Sequence, residues 1–248
     1  SAKHVADEIV KTGKRAEYLI IQENEGTINT EARGIKIARE MASELSSMQK
    51  EEIDLSEINI AIECGGSDTT SGLASNPAVG YVSDKVVDAG GTSIFSETTE
   101  FIGAEHILAR RAVTAEVGEK ILKIVRDCEK KANTMGVDMR SGQPTPGNIQ
   151  GGLTTIEEKS LGCIFKGGSR PIQDVLGYGE IPTGKGSYIM DTPGQDIESI
   201  TGMVAGGAQL VLFTTGRGTP TGCPIAPVVK ICGNPETYVK MKDNLDIN

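Results

Sequence analysis

The stretch Cys64–Asp68 places several chemically useful side chains on one short turn. It reads Cys-Gly-Gly-Ser-Asp and supplies a thiol, a hydroxyl and a carboxylate. The adjacent glycines, Gly65 and Gly66, allow a sharp turn that exposes backbone N–H groups. Cys64 could act as a nucleophile or a metal ligand, although no histidine or lysine close in sequence activates it. The alternative is a thiol that is simply buried at the end of a strand.

A second polar group, Glu97–Glu100, reads Glu-Thr-Thr-Glu. Glu97 and Glu100 could ligate a metal or form an acid/base pair. Acidic residues in the first turn of a helix also complement the helix dipole, so a purely structural role is an equal alternative. His106 lies just downstream and is one of only two histidines. A lone histidine in a helical pattern is more often structural than catalytic.

A third group, Thr214–Thr219, is a candidate cradle for a carboxylate or a phosphate. It offers two threonine hydroxyls, a backbone N–H at Gly216 and the guanidinium of Arg217. A planar guanidinium next to exposed backbone N–H groups suits an anion. Gly-Arg-Gly alone is a weak signal, and a surface turn is as good an interpretation. A fourth polar group, Asp191–Gly194, is less distinctive.

Each of these four groups follows an apolar run that predicts a buried strand. The runs are Ile58–Ile62, Thr92–Ser96, Ser187–Met190 and Leu210–Phe213. They alternate with amphipathic segments, which predicts an α/β fold with a mainly parallel, Rossmann-like sheet and helices on both faces. Because the carboxyl ends of parallel strands share one edge, we expect the four groups to converge there.

The rest of the chain gives less specific predictions. Amphipathic helices are expected at His4–Lys14 and Thr27–Gln49, and the apolar run Glu17–Gln22 predicts a strand between them. A long helix is expected at Thr114–Met135. The segment Gly136–Gly152 has no apolar periodicity, and it is typical of a functional or disordered loop.

Composition excludes some classes of function. The net charge of -9 argues against a nucleic-acid partner. No apolar run reaches the roughly 18 residues of a membrane span. The five cysteines are odd in number and form no CxxC pair, which favours reduced thiols in a cytoplasmic protein. We expect most of them to be small buried apolar residues, with Cys64 as the exception. No phosphate-binding fingerprint is present.

Five motifs in order carry a resemblance to a known family. They are ECGGSDTTSGLASNPAVG, SETTE, PTPGN, GGLTTIEEKSLG and FTTGRGTPTG. Together the motifs resemble the C-terminal domain of the altronate/galactarate dehydratase family, which also includes the large subunit of (2R)-sulfolactate sulfo-lyase. The resemblance extends from about Ile21 to Asn248. The pattern SETTEFIGAEHILARRA resembles the altronate branch more closely than the galactarate branch.

This resemblance implies that residues 1–248 are the C-terminal catalytic domain of a hydro-lyase. The family eliminates water from altronate or galactarate to give a 2-keto-3-deoxy sugar acid, with a divalent metal, Fe²⁺, as the implied cofactor. It also implies a partner, either an N-terminal SAF-type domain or a small subunit, and a homo-oligomer. Two alternatives stay open. One is the sulfo-lyase, which releases sulfite, and the other is a non-catalytic module that binds sugar acids.

Elimination needs a base, an acid and positive charge on the developing enediolate. The residues expected to do acid/base work or ligate metal are Cys64, Asp68, Glu97 and Glu100, with Cys64, Glu97 and Glu100 as the metal candidates. Those expected to bind substrate are Gly65, Gly66, Ser67, Thr214, Thr215, Gly216 and Arg217. A histidine ligand could come from outside this chain.

Overall fold

The computed structural model describes residues 1–248 and divides into two compact units, Ser1–Glu52 and Ile53–Asn248. The first unit contains helix α1 (Ala2–Lys11) and helix α2 (Thr27–Ser47). Both predicted helices are confirmed. The strand predicted at Glu17–Gln22 is wrong, because these residues are irregular and lead into a short 3₁₀ turn. A strand needs a neighbour for its backbone N–H and C=O groups, and this unit contains only helices.

The second unit is built on one sheet of six strands. The strands are β1 (Asn59–Cys64), β2 (Thr92–Phe95), β3 (Ile172–Leu176), β4 (Gly186–Met190), β5 (Leu210–Thr215) and β6 (Val228–Cys232). Their order across the sheet is β3-β4-β2-β1-β5-β6, and every neighbouring pair is parallel. The predicted parallel α/β fold is therefore confirmed.

Helices cover both faces of this sheet. They are α3 (Asn76–Asp88), α4 (Glu105–Ala109), α5 (Ala115–Thr134), α6 (Met139–Gly142), α7 (Pro146–Gln150), α8 (Ile156–Ile164), α9 (Asp196–Ala205) and α10 (Pro235–Lys240). Successive residues of a strand face opposite sides. Ile60 and Ile62 accordingly pack with α3, α4, α5 and α8, whereas Ala61 packs with α9. None of the helices combines the length and the apolar composition that a membrane span requires.

The strand order reverses at β1. The chain passes from β1 to β2 on one side of β1, and it later returns to place β5 on the other side. In open parallel sheets, ligands bind outside the carboxyl ends of the strands at such a reversal. The four polar groups follow β1, β2, β4 and β5, so the prediction that they share one sheet edge is confirmed.

The segment 136–152 is more ordered than its sequence predicts. It contains α6 and α7, which have four and five residues. Asp138 accepts a hydrogen bond from the backbone N–H of Arg140, and Thr145 forms a reciprocal capping pair with Asn148. Helices this short show no apolar period, so capping residues are their only sequence signal.

Candidate active site

Cys64 is the last residue of β1, and its thiol is buried at the carboxyl edge of the sheet. Its Sγ lies 3.2 Å from Ser67 Oγ and 3.5 Å from Asn76 Nδ2. The turn after it requires glycine, because a Cβ at Gly65 would lie 2.6 Å from Asp196 Oδ1. The backbone of β1 and the neighbouring elements therefore fix this thiol with little freedom.

Glu97 stands next to Cys64 in a strained backbone conformation. Its φ of 77° lies in the left-handed region, which residues other than glycine rarely occupy. Its Oε2 accepts a hydrogen bond of 3.0 Å from the backbone N–H of Cys64 and forms an ion pair with Lys166. Both charged side chains are almost completely buried. Backbone strain of this kind is often retained at functional sites.

Glu100 and Cys163 complete the group from the other side. The thiol of Cys163 donates to Glu100 Oε2 at 2.9 Å, and Lys159 Nζ lies 3.0 Å from Glu100 Oε1. The ligand atoms of Cys64, Glu100 and Cys163 all lie within 4.8 Å of one another. The name thiol–carboxylate cluster is used below for Cys64, Glu97, Glu100, Lys159, Cys163 and Lys166.

Helix α8 brings Lys159 and Cys163 to this edge. It begins at a cap in which Thr155 accepts a hydrogen bond from the backbone N–H of Glu158. It then passes a π-helical turn, Ser71–Ser75, at very short range, because a Cβ at Gly72 would lie 2.9 Å from the Cα of Gly162. Asn76 Nδ2 also donates to the carbonyl of Gly162 at 3.0 Å. Side chains larger than hydrogen would hold these segments apart.

The pKa values of Cys64 and Glu97 in the cluster are shifted, and so is that of Glu63, a buried residue of β1 next to Cys64. Interaction with the neighbouring Cys163 thiol lowers the pKa of Cys64 to about 6, against the opposing effect of burial. Burial raises the pKa of Glu63 to about 8, although Lys166 partly opposes this. Burial and the neighbouring Glu63 also raise the pKa of Glu97. Burial thus raises the pKa values of the carboxyl groups at this edge, beside a thiol whose pKa is lowered.

The two lysines keep their positive charges. Burial acts to lower the pKa of Lys166, but Cys163, Glu97 and Glu100 outweigh it and raise this pKa well above its ordinary value. Burial also opposes the charge of Lys159, whose pKa Glu100 nevertheless raises. Lys159 in turn helps to lower the pKa of Glu100, against the effect of burial. Two buried cations thus stabilise the anions of the cluster.

Cys64, Glu100 and Cys163 fit a divalent transition metal. Two thiols and a carboxylate suit borderline ions such as Fe²⁺ or Zn²⁺ better than Mg²⁺ or Ca²⁺, which take oxygen ligands. Three protein ligands would also leave a coordination position for substrate. The proton that Cys163 shares with Glu100 must leave before a metal binds, so binding would be coupled to pH.

Of the four predicted acid/base residues, Cys64, Glu97 and Glu100 converge in the cluster, whereas Asp68 lies outside it and lines the adjoining pocket with Lys159 and Cys163. Asp68 Oδ1 accepts from the backbone N–H groups of Thr70 at 2.8 Å and Ser71 at 3.2 Å. Its Oδ2 accepts from Asn234 Nδ2 at 3.1 Å. Because these bonds occupy both oxygens, Asp68 holds the turn in place in this structure.

The predicted substrate-binding residues divide into two groups. Ser67 lies beside Cys64, as described above. Thr214 and Thr215 are buried and hydrogen-bonded internally, with Thr214 Oγ1 2.6 Å from Asn76 Oδ1. Arg217 is exposed and lines a separate pocket with Gln150, Asn234 and Lys240.

Gly65, Gly66 and Gly216 connect the β1 and β5 turns through their backbones. The N–H of Gly65 donates to the carbonyl of Thr214 at 3.1 Å, and the N–H of Gly216 donates to that of Gly66 at 3.3 Å. A Cβ at Gly216 would overlap the Asp68 carboxylate. These glycines bring the two strand ends together.

Cys163, Lys159 and Lys166 were missed by the strand-end argument because they lie on and just after a helix. Cys163 is one of the cysteines other than Cys64, most of which were expected to be small buried apolar residues. Its contact with Glu100 does not support that expectation for Cys163. A signal was nevertheless present: the spacing 159, 163, 166 places all three residues on one helical face. Two lysines and a thiol on the buried face of a helix are unusual unless they are paired. His106 is exposed on α4 and outside the cluster.

This fold and cluster define an α/β protein with a buried group of thiols, carboxylates and lysines at its strand-order reversal. Residues 55–248 match the family model described as D-galactarate/Altronate dehydratase, C-terminal. The chain belongs to this family.

Its curated relatives have related activities. The chain is 41% identical to the (2R)-sulfolactate sulfo-lyase subunit beta of Chromohalobacter salexigens, over 98% of this chain and 63% of that subunit. It is 38% identical to the altronate dehydratase of Bacillus subtilis, over 95% of this chain and 46% of the relative. It is 42% identical to the galactarate dehydratase (L-threo-forming) of Escherichia coli, over 86% of this chain and 41% of the relative. The chain thus spans about half the length of the curated relatives it matches.

Proposed function

We propose that this chain is the catalytic C-terminal part of a hydro-lyase acting on a sugar acid, either altronate or galactarate. The product is a 2-keto-3-deoxy sugar acid. The observation that carries the proposal is the convergence of Cys64, Glu100, Lys159 and Cys163 at the sheet edge of a family whose named relatives include dehydratases. Because the relatives are longer, a further domain or a separate subunit completes the protein in this proposal.

The residues present divide the chemistry as follows. Lys159 is protonated, and its side chain is 13% exposed, so it can reach a ligand in a pocket. In the proposal its ammonium binds the substrate carboxylate and supplies positive charge as the enediolate develops. Glu97 and Lys166 are fully buried, and they act by fixing the backbone of Cys64.

A divalent metal, Fe²⁺, is the proposed cofactor, and Cys64, Glu100 and Cys163 would hold it. When bound, it would polarise a substrate oxygen as a Lewis acid. Ser67 lies beside Cys64 and lines the pocket that also contains Lys159 and Cys163, so its hydroxyl can orient an oxygen of the substrate.

A second candidate is sulfite elimination from (2R)-sulfolactate. It is favoured by the 41% identity to a sulfo-lyase subunit, of which the chain covers a larger share than of the dehydratases. The two reactions need the same removal of a proton beside a carboxylate and differ in the leaving group. Assays with each substrate are therefore needed to distinguish the two activities.

The test is an anaerobic assay of the intact protein with Fe²⁺ on altronate, galactarate and sulfolactate, measuring keto-acid and sulfite. Cys64→Ser and Cys163→Ser should each reduce bound metal and lower turnover by at least about 100-fold, because loss of even an outer partner of a metal ligand costs roughly 10–100-fold. Cys128→Ser is the matched control, because Cys128 is a half-buried thiol on α5 outside the cluster.

The control should retain both metal and activity. Full metal content and turnover in Cys163→Ser would contradict the assigned site, and absence of turnover on every acid would contradict the proposed function.

A further inference from the structure

A second pocket shares Lys159 with the pocket that contains Cys163. It encloses about 280 Å³ between α8, the turn after β2 and the turn after β4. We refer to it as the polar pocket, and the lining groups that matter are Thr99, Glu100, Gln143, Lys159, Ser160 and Gln195. The pocket beside Cys163, of about 240 Å³, exposes more apolar surface, to which Leu153, Leu161 and Phe165 contribute.

Ser160 is the observation that points to a ligand. It is 0% exposed, it lines the polar pocket, and its hydroxyl has no hydrogen-bond partner in the protein. A buried hydroxyl without a partner is costly, so such groups are uncommon and call for an explanation. A ligand hydroxyl in the pocket would satisfy it.

The surrounding groups are suited to hydroxyl groups in particular. Hydroxyl and amide side chains offer both donors and acceptors, and a ligand hydroxyl needs both. Thr99, Gln143 and Gln195 provide them. Gly194 allows the β4 turn to approach, because a Cβ there would overlap Thr99 Oγ1. Gln143 belongs to the segment 136–152, which has no apolar periodicity. Lining this pocket would give that segment a role in binding.

We propose that the polar pocket binds the hydroxylated carbons of a sugar acid and so selects long polyhydroxy acids over three-carbon acids. The inference rests on the proposed function, since it assumes that the substrate carboxylate is held at Lys159. From there, the chain of hydroxyl-bearing carbons extends past Glu100 towards Ser160 and Gln195. A three-carbon acid such as sulfolactate has no further hydroxyl-bearing carbons with which to contact these groups.

The test compares Ser160→Ala and Gln195→Ala with the unchanged, intact protein. Kinetics are measured on altronate, galactarate and sulfolactate, and galactarate binding is followed by calorimetry. One lost hydrogen bond should raise KM and Kd for the six-carbon acids about tenfold. Values for sulfolactate should stay unchanged, and kcat should change less than KM.

Ser187→Ala is the matched control. Ser187 is also fully buried and also lacks a hydrogen-bond partner, but it lies near the amino end of β4, away from the pocket. Its substitution should leave every KM unchanged. If Ser160→Ala fails to fold, Gln195→Ala still tests the pocket, because Gln195 is exposed.

Three outcomes would overturn the inference: unchanged six-carbon KM and Kd in both variants, equal losses for six- and three-carbon acids, or no binding of galactarate or altronate by the unchanged protein. Binding of galactarate that Ser160→Ala weakens, without turnover of any acid, would support the pocket and contradict the proposed function instead. The two failures are therefore distinguishable.

Discussion

Lys166 is a charged residue in a fully buried environment. Its side chain is completely buried, and its ammonium pairs with the equally buried Glu97. Removing one partner of such a pair leaves a buried charge or a buried unpaired carboxyl group. Lys166→Met should therefore lower the free energy of unfolding by about 3–5 kcal/mol.

The measurement is urea denaturation, with Lys120→Met as the control. Lys120 also forms an ion pair, with Asp174, but both side chains are about 40% exposed, so the expected loss is under about 1 kcal/mol. Adding Glu97→Gln to Lys166→Met should recover part of the loss, since it removes the stranded charge. Similar losses for the two lysine variants would show that burial does not govern this pair.

At the residue scale, the sequence predicted half of the cluster. Cys64, Glu97 and Glu100 follow strands, and the parallel-sheet rule is sufficient to bring such residues together. Lys159, Cys163 and Lys166 come from a helix and the turn after it. Whether a helical face meets the strand ends depends on packing, which no local pattern encodes. Thr214 and Thr215 show the converse, because strand-end position alone does not determine whether a hydroxyl faces a ligand or the interior.

At the element scale, the crossing of α8 with the π-helical turn holds the two thiols together. Gly72 and Gly162 meet with no side chain between them. Gly72→Ala, whose Cβ would lie 2.9 Å from the Cα of Gly162, should push α8 outward, lower the free energy of unfolding by about 1–3 kcal/mol and weaken metal binding. The effect should exceed the small helix-propensity gain that alanine brings.

Gly142→Ala is the control for this substitution. Gly142 ends α6, has no left-handed φ, and a Cβ there would meet nothing within 4 Å. Thermal unfolding and metal titration of the two variants give the comparison. An equally stable Gly72→Ala with unchanged metal affinity would show that the crossing has room for a methyl group.

Element prediction succeeded where a local signal and a packing partner agreed. The buried runs at β1, β2, β4 and β5 were predicted, and each has a parallel neighbour. Glu17–Gln22 has the same apolar character but no strand to pair with, so its pattern was misleading. The short helices α6 and α7 were missed because one turn is too short to display a 3.6-residue period.

At the scale of the whole molecule, the class of fold followed from the alternation of strands and helices, but the strand order did not. The insertion of β4 between β2 and β3 depends on where each crossover returns to the sheet. That choice is made by long-range packing. From the sequence alone, the site could therefore be placed at one edge of the sheet, but not at the strand-order reversal beside β1.

The two units of the chain differ in how much apolar core they contain. Both core clusters are formed by residues after Glu52, and Ala6 is the only buried apolar residue before it. The family match also begins at residue 55, next to the boundary between the units. A truncated protein, Ile53–Asn248, should therefore fold cooperatively, with a Tm within about 5 °C of the full chain, the shift expected from roughly 1–2 kcal/mol in a domain of this size. Thermal unfolding followed by circular dichroism at 222 nm measures this directly.

Val125→Ala in the truncated protein is the control, which shows that the transition reports unfolding of the packed core. Val125 is 1% exposed within the main cluster, so its truncation to alanine should clearly lower the Tm. A broad transition, insensitive to Val125→Ala, would mean that residues 1–52 are needed to specify the fold of the remainder.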